Sequence, residues 1–252
     1  MAAVDLNADL GEAETLLPPD LAMLDCVTSA NLSCGFHAGT PEGIQASLDA
    51  ALERGVTIGA HVSYRDREGF GRRPMEVPAP QLRADIVEQF GILADMATRS
   101  GGSVAYIKPH GALYNRMGVD EAVAAAVVEA VRECGLRLLV AQAGTVVAGL
   151  AAAAGLEVVG EAFADRGYLP DGRLVPRRDP DALVTDPLRV AQRALSLVTR
   201  GGIEAVDGTW LAVACGTLCV HGDTPSAAES ARETRAALEG AGVTVCSFAR
   251  SA

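Results

Sequence analysis

Along this chain, short apolar and β-branched runs alternate with stretches whose apolar residues recur every three or four positions. The runs predict strands at Val4–Leu6, Cys26–Ser33, Thr57–Val62, Val104–Lys108, Leu138–Gln142, Val158–Phe163 and Leu218–His221. A further run lies at Val243–Phe248. Between them the helices have readable ends. Thr40-Pro41 predicts an N-cap and first helical residue, Ile44, Leu48 and Leu52 form the stripe, and Gly55 stops it. Leu82, Ile86, Phe90, Leu93 and Ala97 mark a second helix, ended by Gly101-Gly102. Thr224-Pro225 predicts the start of the last, with Leu238 near its end and Gly240 beyond. Strand and helix in alternation predict a parallel sheet with covering helices. With seven or eight such units and no Pro/Ser linker, the expectation is α/β: one closed or nearly closed (β/α) barrel domain over residues 1–252.

The polar positions interrupt this pattern in an ordered way. All four histidines sit at or just past the end of an apolar run: His37, His61, His110 and His221. In a (β/α) barrel these ends converge on the face that carries chemistry. In "VDLNADLGE", Asp5, Asn7 and Asp9 alternate with Val4, Leu6 and Ala8, so the three polar side chains point toward the barrel interior or its mouth. Carboxylates there need a cation, a proton or a donor.

Composition narrows the ligand. Net charge of −11 argues against a nucleic-acid or anionic-membrane surface, so an anionic ligand needs a local positive site. Lys108 is the one lysine in 252 residues, and it stands two positions before His110. Structurally it would neutralise Asp5 or Asp9; functionally it would hold a carboxylate or phosphate. His110 titrates near neutrality and suits proton transfer. In "REGFGRRP", glycines, Phe70 and the pair Arg72-Arg73 suit a folded loop beside an anion. In the long loop 163–177, Asp165 and Arg166 read as a mutual pair. "HAGTP" and "HGDTP" both place a histidine three residues before a helix cap. Six cysteines with no CxxC, together with no basic leader and no apolar run of membrane-spanning length, predict reduced thiols in a cytoplasm. No GxGxxG follows the first strand and no GxxxxGK[ST] occurs, which argues against dinucleotide and P-loop sites.

Six motifs in register, "VDLNADLGE", "SANLSCGFHAGTP", "GAHVSYRDREGFGRRPM", "YIKPHGALYN", "FADRGY…GRLVPR" and "CVHGDTP", resemble the LamB/YcsF family, the A components of 5-oxoprolinases. The resemblance implies a seven-stranded, deacetylase-like (β/α) barrel. It also implies ATP-dependent opening of 5-oxo-L-proline to L-glutamate, with Mg²⁺ accompanying ATP and with partner subunits B and C. Its motifs fall on Asp5, Asn7, Asp9, Glu12, His37, His61, Lys108, His110, Asn115, His221 and Asp223. On this basis Lys108, His110, Asp9 and His61 are the expected catalytic residues. Asn7, Glu12, His37, Arg72, Asn115, His221 and Asp223 are expected to bind substrate or nucleotide, and Asp9, His37 and His61 are candidates for a metal. Where the family commonly has proline, this chain has Val62 and Arg65. Thr40 replaces a common aspartate, and the segment after Glu12 lacks a Gly-rich continuation. Two other readings use the same residues: an ATP-independent, metal-dependent amide hydrolase or deacetylase, and a non-catalytic component that binds substrate.

Overall fold

The computed structural model of this protein describes residues 2–222 and 226–249. Its strands are β1 (Ala3–Leu10), β2 (Ser29–Ser33), β3 (Thr57–His61), β4 (Val104–Ile107), β5 (Leu138–Gln142), β6 (Glu157–Phe163), β7 (Gly202–Glu204), β8 (Trp210–Ala212), β9 (Thr217–Cys219) and β10 (Thr244–Val245). Seven of them, β1 to β6 and β9, pair in parallel, and β9 returns to β1 to close a barrel. The antiparallel hairpin β7–β8 forms a separate small sheet, and β10 pairs with the first residues of β1. The helices are α1 (Pro18–Leu24), α2 (Pro41–Glu53), α3 (Ala79–Arg99), α4 (Gly111–Met117), α5 (Glu121–Glu133), α6 (Val146–Ala153), α7 (Pro187–Thr199) and α8 (Ala227–Gly240).

The predicted caps are in place. Thr40 Oγ1 accepts from Gly43 N at 3.1 Å, Pro41 opens α2, and Gly55 ends it in a left-handed turn at φ 67°. The run Cys26–Ser33 is too long for the strand it predicts. Ser29 begins the strand, because Cys26 and Val27 close the end of α1 by donating to Met23 O. The helix α1 itself, and the hairpin β7–β8, carry no clear signal in the sequence pattern. At the other extreme β1 runs on past Leu6 to Leu10, its polar residues notwithstanding. The Thr224-Pro225 start lies outside the described residues.

Strand alternation sorts the side chains into two shells. Leu6, Ile58 and Leu218 are fully buried in the apolar core, where each aliphatic side chain contributes about 1.5–3 kcal/mol. Inside the barrel the residues are polar. Asp5, Asn7, Ser29, Asn31, Glu161 and Thr217 are all buried and joined by hydrogen bonds. Tyr106 donates to Asn31 Oδ1 at 2.7 Å, and its ring needs Gly59 opposite: a Cβ there would lie 2.1 Å from it. Below this layer Tyr106, Val140 and Val159 form a small apolar cluster. A barrel with a polar interior has a reason to be polar at its mouth.

Candidate active site

The strand ends open onto a cavity of 610 Å³, within the range of about 300–1,000 Å³ usual for small-molecule sites. Lys108 and five arginines (72, 116, 166, 173 and 177) line it, together with Asp9, Glu12, His61, His110 and His221. In an acidic chain this is a concentrated positive wall.

Lys108 follows β4 and points inward. Its Nζ donates to Asp9 Oδ1 at 2.8 Å, Asn7 Oδ1 at 3.2 Å and Cys219 Sγ at 3.3 Å, and lies 2.8 Å from Glu161 Oε1. Burial works to lower its pKa, but Asp9, Cys219 and Glu161 outweigh burial and hold the ammonium well above the usual lysine range. Burial likewise works to raise Asp9, and the charges of His61 and Lys108 hold its carboxyl well below the usual carboxylate range. Asp5 belongs to a different set: its carboxylate accepts from the hydroxyls of Thr28, Ser29 and Thr217, not from Lys108.

Three histidines meet beside this pair. His37 and His110 stack with ring centroids 4.0 Å apart, and His61 stands edge-on to both. His61 Nε2 lies 2.9 Å from His110 Nδ1 and 3.3 Å from Asp9 Oδ2. His37 Nε2 lies 3.1 Å from Glu12 Oε1, which is 3.6 Å from His110 Nδ1. The outer ring nitrogens are also taken: His37 Nδ1 by Ser63 Oγ, His61 Nδ1 by Lys108 O and His110 Nε2 by Phe70 O. Burial, reinforced by the other imidazoles, pushes His110 down to about 2 and His37 well below the usual histidine range. Burial pushes Glu12 up.

The loop that carries Phe70 is shaped for this contact. Phe70 and Gly71 both adopt left-handed backbone, at φ 54° and 66°. A Cβ on Gly71 would sit 2.9 Å from His110 Cδ2 and 2.9 Å from His37 Cβ. The "GFG" sequence is thus what lets the loop close over two rings.

The structure gathers Asn7, Asp9, Glu12, His37, His61, Lys108 and His110 into one connected network. Arg72 and Asn115 line the cavity from exposed positions. His221 also lines it and pairs with Asp165 at 3.0 Å rather than joining the other three histidines. Asp165 is therefore not paired with Arg166, whose guanidinium donates to the carbonyls of Val175 and Ala182. Asp223 lies outside the described residues. Among the described residues two groups have metal-ligand spacing: Glu12, His37, His61 and His110, and separately Asp9, Cys219 and His221.

Sequence reasoning missed Glu161 and Cys219, which complete the shell around Lys108. Glu161 sits at an inward position of β6, alternating with Gly160 and Ala162 just as Asp9 alternates with Ala8 and Leu10 on β1. That period-two signal is present but is masked by the apolar run around it. Its Oε2 has no hydrogen-bond partner among the described residues.

The profile of the LamB/YcsF family matches residues 4–252. A curated relative from Pseudomonas syringae pv. tomato, named as a 5-oxoprolinase A component, is 52% identical over 99% of this chain and 98% of its own. One from Streptomyces coelicolor, named in the same way, is 53% identical over 98% of this chain and all of its own. Among solved structures, the lactam utilization protein from Thermus thermophilus superposes with a TM-score of 0.91 at 43% identity, covering 98% of this chain and 100% of that one. A polysaccharide deacetylase from Bacillus cereus shares the fold at a TM-score of 0.51 and 11% identity, over 98% of this chain and 92% of that one.

Proposed function

Because this chain belongs to the LamB/YcsF family, we propose that it is the A component of a 5-oxoprolinase. With partner subunits, B and C in the family's naming, it opens 5-oxo-L-proline to L-glutamate coupled to ATP hydrolysis. The supporting observation is identity of about half across nearly the full length of relatives so named, and Asp9, Glu12, His61, Lys108, His110 and His221 of this chain line one cavity.

The chemistry explains the coupling. A five-membered lactam is resonance-stabilised and its ring closure is entropically favoured. Transfer of the γ-phosphoryl group to the lactam oxygen yields an activated imidate and ADP. One water adds to the ring carbon, the C–N bond breaks as nitrogen takes a proton, and a second water releases phosphate from the acyl phosphate. Mg²⁺ accompanies the nucleotide.

Within that sequence Lys108 stabilises negative charge on the lactam or phosphoryl oxygen, as a preorganised cation does. Asp9, kept ionised by Lys108 and His61, orients water by accepting its hydrogen bond. Glu12, His37, His61 and His110 hold one another, and His61 links them to Asp9. Both His110 nitrogens are engaged, Nδ1 by His61 Nε2 and Nε2 by the Phe70 carbonyl. Arg72, Asn115 and His221 meet the substrate carboxylate and the nucleotide phosphates along the cavity wall.

A second reading, an ATP-independent metal-dependent amide hydrolase, is favoured by the cluster of three imidazoles around Glu12. Turnover separates the two. The chain alone, and then with candidate partner subunits, is given 5-oxoproline and magnesium, with and without ATP. ADP and glutamate appearing together only in the reconstituted mixture supports the first reading. Glutamate formed without ATP supports the second, and no glutamate in any mixture rejects the first.

A further inference from the structure

Counting protons around the three clustered histidines leaves a deficit. A neutral imidazole carries one N–H. A carbonyl only accepts, so Lys108 O at 3.0 Å fixes the His61 proton on Nδ1, and Phe70 O at 2.9 Å fixes the His110 proton on Nε2. With both imidazoles neutral, the remaining nitrogens, His61 Nε2 and His110 Nδ1, face each other at 2.9 Å as two lone pairs, and His61 Nε2 lies a further 3.3 Å from Asp9 Oδ2. His37 repeats the pattern. Ser63 Oγ donates to Tyr64 O at 3.0 Å and therefore accepts from His37 Nδ1. That leaves His37 Nε2 facing the Glu12 carboxylate oxygen at 3.1 Å, again acceptor to acceptor.

Four electron-pair donors thus converge, one per residue and all within 4.8 Å of one another. A proton on Glu12 relieves the pair with His37, and the pair between His61 and His110 takes a second proton. One divalent ion relieves all four. Ligands about 2.1 Å from a tetrahedral ion lie about 3.4 Å apart. The separations here, 2.9, 3.1 and 3.6 Å, bracket that value. Each imidazole also has its outer N–H on an oxygen acceptor, the orientation metal-bound histidines adopt. By contrast, the group of Asp9, Cys219 and His221 already has a cation: the Lys108 ammonium lies 2.8 Å from Asp9 and 3.3 Å from Cys219.

We propose that Glu12, His37, His61 and His110 form a site for one divalent transition-metal ion of the zinc class. Three nitrogens and one carboxylate oxygen select such an ion over magnesium or calcium, which prefer all-oxygen shells. Glu12, His61 and His110 line the cavity, so the ion is reachable from it. The site adjoins Lys108 and Asp9 in the same cavity, but the proposal holds whichever amide is opened there, and its test uses no substrate.

The full chain is purified without chelator and its metal content measured. It is then stripped, checked for folding, and titrated with Zn²⁺ and Co²⁺. The expected result is about one ion per chain as purified, with the stripped chain regaining a saturable Co²⁺ visible spectrum and a raised melting temperature. Glu12→Gln and His37→Gln each weaken Co²⁺ binding at least about tenfold, while His221→Gln leaves it unchanged. Two results overturn the proposal: no saturable Zn²⁺ or Co²⁺ binding by the folded, stripped chain, or binding that His221→Gln abolishes and His37→Gln spares. Should a variant fail to fold, the wild-type Co²⁺ titration still decides.

Discussion

Two carboxylates share one lysine, and that ratio governs what substitution does. Removing Lys108 leaves Asp9 and Glu161 buried without their cation, and breaking a buried ion pair costs about 3–5 kcal/mol. Lys108→Met should lose stability on that order in denaturant unfolding. Adding Glu161→Gln should recover part of the loss, a coupling of at least about 1 kcal/mol; strictly additive losses would show that the two side chains do not interact. Asp5 offers a pH test that does not involve the histidines. Burial pushes its pKa up, against the pull of three hydroxyl donors. The folded state therefore keeps a proton that the unfolded chain releases above about pH 3.9. Asp5 thus costs stability as pH rises from there through its raised value, at up to about 1.4 kcal/mol per pH unit. The melting temperature of Asp5→Asn minus that of wild type should grow across this window and then level off, and a constant difference would contradict the burial effect. At this scale the sequence shows the residues whose polarity breaks an apolar pattern, such as Asp9 and the histidines. Glu161 stays hidden because one carboxylate inside a strand reads as an ordinary surface position.

Individual elements are legible where local chemistry decides them. Thr40 and Gly55 bound α2 as their types require, and Gly101, with φ 77°, ends α3. Boundaries fail where distant packing decides. Cys26 and Val27 look like strand but close the last turn of α1, and Thr244–Val245 is all that remains of the run predicted at Val243–Phe248. The loop after β3 is readable as special from its glycines, though not for the reason found, which is closure on two histidine rings. A matched pair of variants isolates that role. Gly55 and Gly71 have nearly the same positive φ, 67° and 66°, but a Cβ on Gly55 meets nothing within 4 Å. Both Gly55→Ala and Gly71→Ala should lose about 1–2 kcal/mol from backbone strain. Turnover by the reconstituted enzyme should fall at least about tenfold in Gly71→Ala alone, since small displacements of catalytic groups are costly. Equal turnover in the two variants would mean that the loop's fit to His37 and His110 is without consequence.

For the whole molecule, alternation of strands and helices is enough to predict a barrel, and the number of closed strands emerges only from pairing. β1 makes the closure by pairing with both β2 and β9, while β10 only pairs with its first residues. That arrangement depends on contacts more than 200 residues apart in sequence, beyond the reach of any local pattern. The same closure brings Lys108 from β4's end to Asp9 of β1 and Glu161 of β6, so the barrel assembles the site from strands that are far apart in the chain. The central claim is that this assembled centre, within this chain, carries the chemistry of lactam opening. Its most direct test is 5-oxoproline-dependent glutamate formation by the complex reconstituted with wild-type chain, or with the Lys108→Met, Glu161→Gln double variant shown to be folded. The account predicts a fall of at least about 100-fold, the scale lost when one preorganised stabilising group is removed. Rates within about twofold of wild type would contradict it and place the chemistry in a partner of this chain.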